Sequence, residues 1–166
     1  MSYVAFLRGI NLGKLNKVDM KSLRSLFEGM GFQDVQTYIQ TGNVLFTNVA
    51  SDEQHIEDRL KEAYGFDIPV TIRSKDELTT IQQHPLFSRE NVHIMFLKEQ
   101  ISNEQIEFLQ SIVDDEFSVI DQKTIIINLT KNYHQTKYTN AFFEKKLQIS
   151  STLRNRNTVE KILLKM

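Results

Sequence analysis

Val35-Gln36-Thr37-Tyr38-Ile39-Gln40-Thr41-Gly42-Asn43-Val44-Leu45-Phe46-Thr47 is the stretch that decides the fold. Val35, Thr37, Ile39 and Thr41 alternate with Gln36, Tyr38 and Gln40, the two-residue period of a strand. Gly42-Asn43 is a two-residue hairpin signal, and Val44 to Thr47 is the return strand. A turn at that dipeptide pairs Thr41 with Val44, Gln40 with Leu45 and Ile39 with Phe46. Ile39, Thr41, Val44 and Phe46 then share a core face. Tyr38, Gln40, Leu45 and Thr47 share a half-polar face, either an open sheet surface or the seat for a second subdomain. RNA recognition on such a sheet needs exposed aromatics on its first and third strands and a characteristic octapeptide on the third. The third strand offers Leu45 and no such octapeptide.

The elements around the hairpin complete a repeat. Upstream, Tyr3 to Leu7 reads as a buried strand, followed by a glycine-containing loop from Gly9 to Lys17. Asp19 suits an N-cap, with Met20, Leu23, Leu26, Phe27 and Met30 on one helical face and Gly31 placed to end the helix. Downstream, Ser51-x-x-Gln54 is a capping box opening a helix that stops at Gly65. Ile68, Val70 and Ile72 alternate as a fourth strand. The order is βαββαβ, the ferredoxin-like arrangement.

Ser74-x-x-Glu77 caps a connecting helix ended by Pro85, and the plan then restarts. Val92 to Leu97 is strand-like, Ser102-x-x-Gln105 is a capping box, and Ile101 and Ile106 form its hydrophobic staple. Phe117 to Ile120 and Thr124 to Leu129 read as strands joined by Asp121-Gln122-Lys123. A helix over Asn140 to Leu147 follows. Residues 150–157 read as a polar loop in place of a fourth strand, and Asn157-x-x-Glu160 reads as the cap of a final helix. The expectation is an α+β protein of two closely packed ferredoxin-like subdomains, βαββαβ and βαββα, with antiparallel sheets and a C-terminal helix. The boundaries are 1–73, a connecting helix over 74–90, and 91–166. The halves share an order of elements and no visible sequence identity.

The 166 residues carry 20 basic and 21 acidic side chains and no Cys, which removes disulfides, thiolate metal sites and cysteine nucleophiles. No apolar run reaches the roughly 18 residues of a membrane helix, and the first residues have no charged leader region. A soluble cytoplasmic protein is expected, with no membrane partner. The net charge of −1 hides a pattern: residues 1–50 sum to +2, 51–121 to −10 and 122–166 to +7. If the first and last segments meet, they make a basic surface suited to a phosphate or carboxylate.

Gly9-Ile10-Asn11-Leu12-Gly13-Lys14 sits where phosphate loops sit. It has three residues between its glycines instead of four, and Leu15 where the magnesium-binding hydroxyl would be, so it is not a Walker loop. Arg8, Lys14, Lys17, the glycine amides and a helix N-terminus still converge as an anion site. Thr152-Leu153-Arg154-Asn155-Arg156-Asn157-Thr158 is richer in donors than one helix cap requires, as an anion clamp would be. His55, His84, His93 and His134 have no metal-ligand spacing. Asp114-Asp115-Glu116 reads as an acidic turn. His134, near Lys131 and Lys137, has the chemistry of a general base, but no nucleophile pairs with it.

The run Phe6-Leu7-Arg8-Gly9-Ile10-Asn11-Leu12-Gly13, with Asn16-Lys17, Met20, Leu23-Arg24, Gly31-Phe32, Val35 and Thr37 to Val44, resembles a bacterial family described as domain of unknown function 1697. The ending Thr152 to Ile162 resembles that family's C-terminal signature. The resemblance implies a two-part α+β fold related to ferredoxin-like units and no established activity. Lys14, Thr41 and Arg156 stand where the family usually has Gly, Ser and Trp, and a Gly usual before Lys137 is missing. Aromatic stacking at Arg156 is thereby lost.

Three readings of function remain. The first is a binding protein whose site combines Arg8, Asn11, Lys14, Lys17, Gln40, Asn43, Lys137, Arg154, Asn155 and Thr158. Its ligand would be a phosphate- or carboxylate-bearing small molecule or a nucleic-acid backbone, with no metal or cofactor. In that reading a ligand-facing Arg154 contributes little to the stability of the free protein. The second is a structural role, the same polar residues locking the subdomains. The third is a metal-independent enzyme acting by positioning, with catalytic residues and oligomeric state open.

Overall fold

The computed structural model describes residues 1–47 and 52–166. These divide into two units, Met1–Leu78 with Ile162–Met166, and Thr79–Lys161. The first unit contains β1 (Ser2–Leu7), α1 (Met20–Gly29), β2 (Gln33–Tyr38), β3 (Asn43–Thr47), α2 (Glu53–Tyr64) and β4 (Val70–Ser74). Its antiparallel sheet has the order β2-β3-β1-β4. The second contains β5 (Val92–Leu97), α4 (Asn103–Ile112), β6 (Glu116–Ile120), β7 (Thr124–Asn128), α5 (Asn140–Leu147) and β8 (Ser151–Asn155), with the sheet order β6-β7-β5-β8. The divisions fall inside α3 (Lys75–Gln82) and α6 (Arg156–Lys165).

Local chemistry places the helices where the sequence puts them. The Asp19 carboxylate accepts from Ser22 N at 2.9 Å, and Gly31 leaves the helix at φ +94°. Ser74 and Glu77 close a reciprocal box at 2.9 and 3.2 Å, and Ser102 with Gln105 closes another at 2.8 and 3.1 Å. Ser51 lies outside the described residues; Asp52 caps α2 by accepting from Gln54 N, and Gly65 ends it at φ +84°. Each unit buries an apolar layer between sheet and helices. Ala5, Leu23, Phe27, Phe46 and Leu60 centre the first, and Met95, Leu109, Ile125 and Phe143 the second.

Three expectations need correction. The hairpin pairs Tyr38 with Asn43 and Thr37 with Val44, so Ile39 to Gly42 form a four-residue connection instead of strand. Ile39 takes φ +50° and is exposed, while Val44 and Phe46 face the core as expected. The Asn43 amide donates to Tyr38 O at 2.9 Å, closing the turn from inside. Leu45 is buried, so the opposite face is not an open stacking platform.

Second, residues 151–155 are a strand. β8 pairs with β5 in unbroken register, Ser151 with Leu97 through Asn155 with His93, and completes the second βαββαβ. Leu153 packs on the core, whereas Thr152 and Arg154 point to the other side of the sheet and are buried there. The neighbouring strand supplies the pairing that the polar composition conceals. Third, the cap of α6 is Asn155, whose Oδ1 accepts from Thr158 N at 2.9 Å, and not Asn157.

Registering the strands also reveals identity between the halves. Thr71-Ile72-Arg73 lies opposite Phe6, Ala5 and Val4, as Thr152-Leu153-Arg154 lies opposite Phe96, Met95 and Ile94. Arg73 and Arg154 are both buried, and each donates from Nη1 to the carbonyl of its preceding residue, at 3.0 and 2.9 Å.

Candidate functional site

The start of β5 and the end of β8 converge with the loop after β7. His93 and Asn155 are register partners, and directly opposed residues of an antiparallel pair project to the same side. The loop is fixed from below: Asn91 donates from its amide to Leu129 O and Lys131 O, at 3.2 and 2.9 Å, and Asn128 accepts from Asn91 N. Asn132 accepts from His134 N, turning the chain so that Tyr133 lies over His93 with ring centroids 5.2 Å apart and planes 19° apart. The Tyr133 hydroxyl accepts from Asn140 N at 3.3 Å, which anchors the ring from its far end.

These elements enclose a cleft of about 290 Å³ lined by Glu90, Asn91, Val92, His93, Tyr133, His134, Asn155, Arg156 and Asn157. Asn155 and Asn157 are exposed at the N-terminus of α6, whose first turn carries no acidic residue. That end of a helix favours negative charge. Arg156 donates from Nη1 to the carbonyls of Phe87 (3.2 Å) and Arg89, and its Nε lies 3.8 Å from Glu160, so its guanidinium is held in place. Glu90 is the one carboxylate in the lining. Burial holds the His93 imidazole below its usual value, partly offset by the Asn91 backbone, so it is neutral at pH 7.

The neutral His93 sets a pH dependence. Its folded value lies below the unfolded one near 6.5, so the unfolded chain takes up the proton first as pH falls. Stability is unaffected above the unfolded value and declines below it. The melting temperature of the wild type relative to His93→Gln is expected to fall between pH 7.5 and 5. A difference that stays constant over that range would contradict a depressed His93.

Of the residues expected to bind ligand, Asn155 lines the cleft. Thr158 is buried and its backbone N–H is taken by Asn155. Arg154 points to the opposite side of the sheet and is 8 % exposed; burial pulls its guanidinium down to about 10. Lys137 lies instead in a separate cleft of about 300 Å³ with Asp114, Asp115, Lys131 and Tyr138, its ammonium 5.3 Å from the centre of the Tyr138 ring. Arg8, Asn11, Lys14, Lys17, Gln40 and Asn43 belong to the first unit. There, the Asn11 side chain donates to Val18 O and Gln40 O, at 3.0 and 2.8 Å, and accepts from Val18 N, which fixes the Gly9–Lys17 loop. Asn43 is fully buried, while Lys14, Lys17 and Gln40 are exposed.

The spacing of His93, Tyr133 and Asn91 gave no sign of a site. The one local signal was a histidine interrupting the apolar run Val92 to Leu97. Among the described residues, no group of three or more His, Asp or Glu side chains is placed to hold a metal ion, and no helix is long and apolar enough to cross a membrane.

The molecule is therefore a two-unit α+β protein of ferredoxin-like topology with a polar cleft in its second unit. The chain belongs to the family of proteins of unknown function DUF1697, whose profile matches residues 1–124. The cleft residues from Tyr133 onward lie beyond that match. A solved structure, conserved bacterial protein SP0830 from Streptococcus pneumoniae, is similar over 98% of this chain and 97% of its own, at 23% identity and a TM-score of 0.71. At that identity the likeness shows the fold. No curated protein matches the chain.

Proposed function

We propose that the protein binds a small phosphate- or carboxylate-bearing molecule in the cleft at Asn155. The observation that supports this is the cleft itself: the exposed Asn155 and Asn157, the immobilised Arg156 and the neutral His93 open onto one volume at a helix N-terminus. Such donors suit an oxyanion, and the His93–Tyr133 stack supplies an apolar wall. Lys14 and Lys17, expected from the sequence to bind the same ligand, are exposed in the first unit and are tested separately. A structural role is favoured for Arg154, Asn11 and Asn43, whose side chains are buried or spent on backbone partners.

The test is a thermal-shift and NMR screen of inorganic phosphate, sugar phosphates, nucleotides, dicarboxylates and a short oligonucleotide, since ligands of the native state raise the melting temperature by mass action. Asn155→Asp keeps the oxygen that caps α6 and removes the amide donor while adding negative charge. It is expected to leave the free protein folded and to weaken the response about tenfold or more, the loss of a charge-assisted hydrogen bond. An unchanged response in Asn155→Asp and Asn157→Asp would reject the cleft. Loss of response in Lys14→Ala with Lys17→Ala alone would move the site to the first unit.

A further inference from the structure

A four-stranded open sheet has two edges, and edges attract further strands unless they are blunted. In the first unit, the outward N–H groups of β4 are taken in sequence: Val70 by Glu57 at 2.7 Å, Ile72 by Glu53 at 2.7 Å and Ser74 by Glu77 at 2.9 Å. The edge strand β2 is broken by a register shift between Gln33 and Gln36, with Asp34 at φ +51°. In the second unit, β8 is closed at its start by Glu144 on Ser151 N at 2.7 Å and runs directly into α6. Among the described residues, β6 has none of these devices. Its five residues pair with β7 without a shift. Among the described residues, the hydrogen bonds to its backbone beyond that ladder reduce to the turn bond from Lys123 N to Ile120 O. Phe117, Ser118, Val119 and Ile120 are half-buried, and Glu116 is exposed.

The charge around this edge selects the occupant. From Glu99 to Asp121 the chain carries seven carboxylates and no Lys or Arg. Asp114, Glu116 and Asp121 are exposed around the strand, with Glu116 3.4 Å from Arg89. A second copy is disfavoured, because antiparallel self-pairing about Ser118 sets Asp121 of each chain opposite Asp115 of the other. We propose that β6 is a docking edge that takes an extended peptide segment with basic residues flanking an alternating apolar centre. Backbone hydrogen bonds hold the added strand, and the acidic ends select its charge.

The probe is a capped hexapeptide of alternating valine and threonine between terminal lysines, added to the full chain. The expected result is chemical-shift perturbation confined to Glu116–Ile120 and their neighbours, with amide exchange there slowed at least tenfold and affinity falling as salt rises. The same peptide with terminal glutamates should bind at least tenfold more weakly. Asp114→Lys with Glu116→Lys should reverse that preference without disturbing the fold, since both side chains are exposed. Perturbation elsewhere, or equal binding of both peptides, would overturn the proposal. So would a concentration-dependent dimer in sedimentation whose β6 amides are already protected.

Discussion

Arg154→Ala is expected to lower the melting temperature of the ligand-free protein by roughly 5–15 °C, about 2–4 kcal/mol at this size. The guanidinium is 8 % exposed and donates to Leu153 O at 2.9 Å. Truncation leaves a buried carbonyl without that donor, at about 1–3 kcal/mol, and removes a packed aliphatic stem whose volume the sheet cannot fill. Arg154→Met restores the stem and should recover part of the loss. Arg73→Ala, the same position of the first sheet, should move in the same direction, because it too is buried and donates to the preceding carbonyl. Thermal melts of the three variants without ligand decide the matter. An unchanged melting temperature in Arg154→Ala, with loss of ligand response, would return this residue to the binding site.

Gly42→Ala should cost a comparable amount, about 2–5 kcal/mol, from two sources. The residue sits at φ +98°, a region unfavourable for any side chain by roughly 1–2 kcal/mol. A Cβ there would also lie 2.7 Å from Ile10 Cδ1 and 2.9 Å from Leu7 Cβ. The backbone cannot retreat, because the Gly42 carbonyl accepts from Leu7 N at 2.8 Å. Overpacking of that kind costs about 1–3 kcal/mol. Gly31→Ala is the control: its φ is +94° and an added Cβ meets nothing within 4 Å. It should show the backbone contribution alone. Equal losses in the two variants, measured by denaturant unfolding, would show that the contact with Leu7 and Ile10 is not what demands glycine.

The sequence by itself determined the parts of this protein whose chemistry is local. Asp19, Ser74 with Glu77, and Ser102 with Gln105 cap helices through bonds that span three residues. Such bonds are readable because both partners lie within one turn. Apart from β8, the order of strands and helices followed from the same signals and from the alternation of apolar residues, and with it the ferredoxin-like arrangement. What the tertiary structure decided is non-local. Gly42-Asn43 has the composition of a two-residue turn, yet the pairing begins at Tyr38 and Asn43, with Gly42 pressed against Leu7 at the end of β1 and Ile10 in the loop after it. Residues 151–155 have the composition of a loop, yet β5 supplies their backbone partners and the sheet buries Thr152 and Arg154. That burial separates Arg154 from Asn155, neighbours in sequence that strand geometry sends to opposite faces. The cleft is likewise a product of pairing: only when β8 lies against β5, and Asn91 holds the loop after β7, do His93, Tyr133 and Asn155 face one volume. Caps depend on three or four residues in a row, whereas a strand's partner and the face it presents depend on which distant segment it meets.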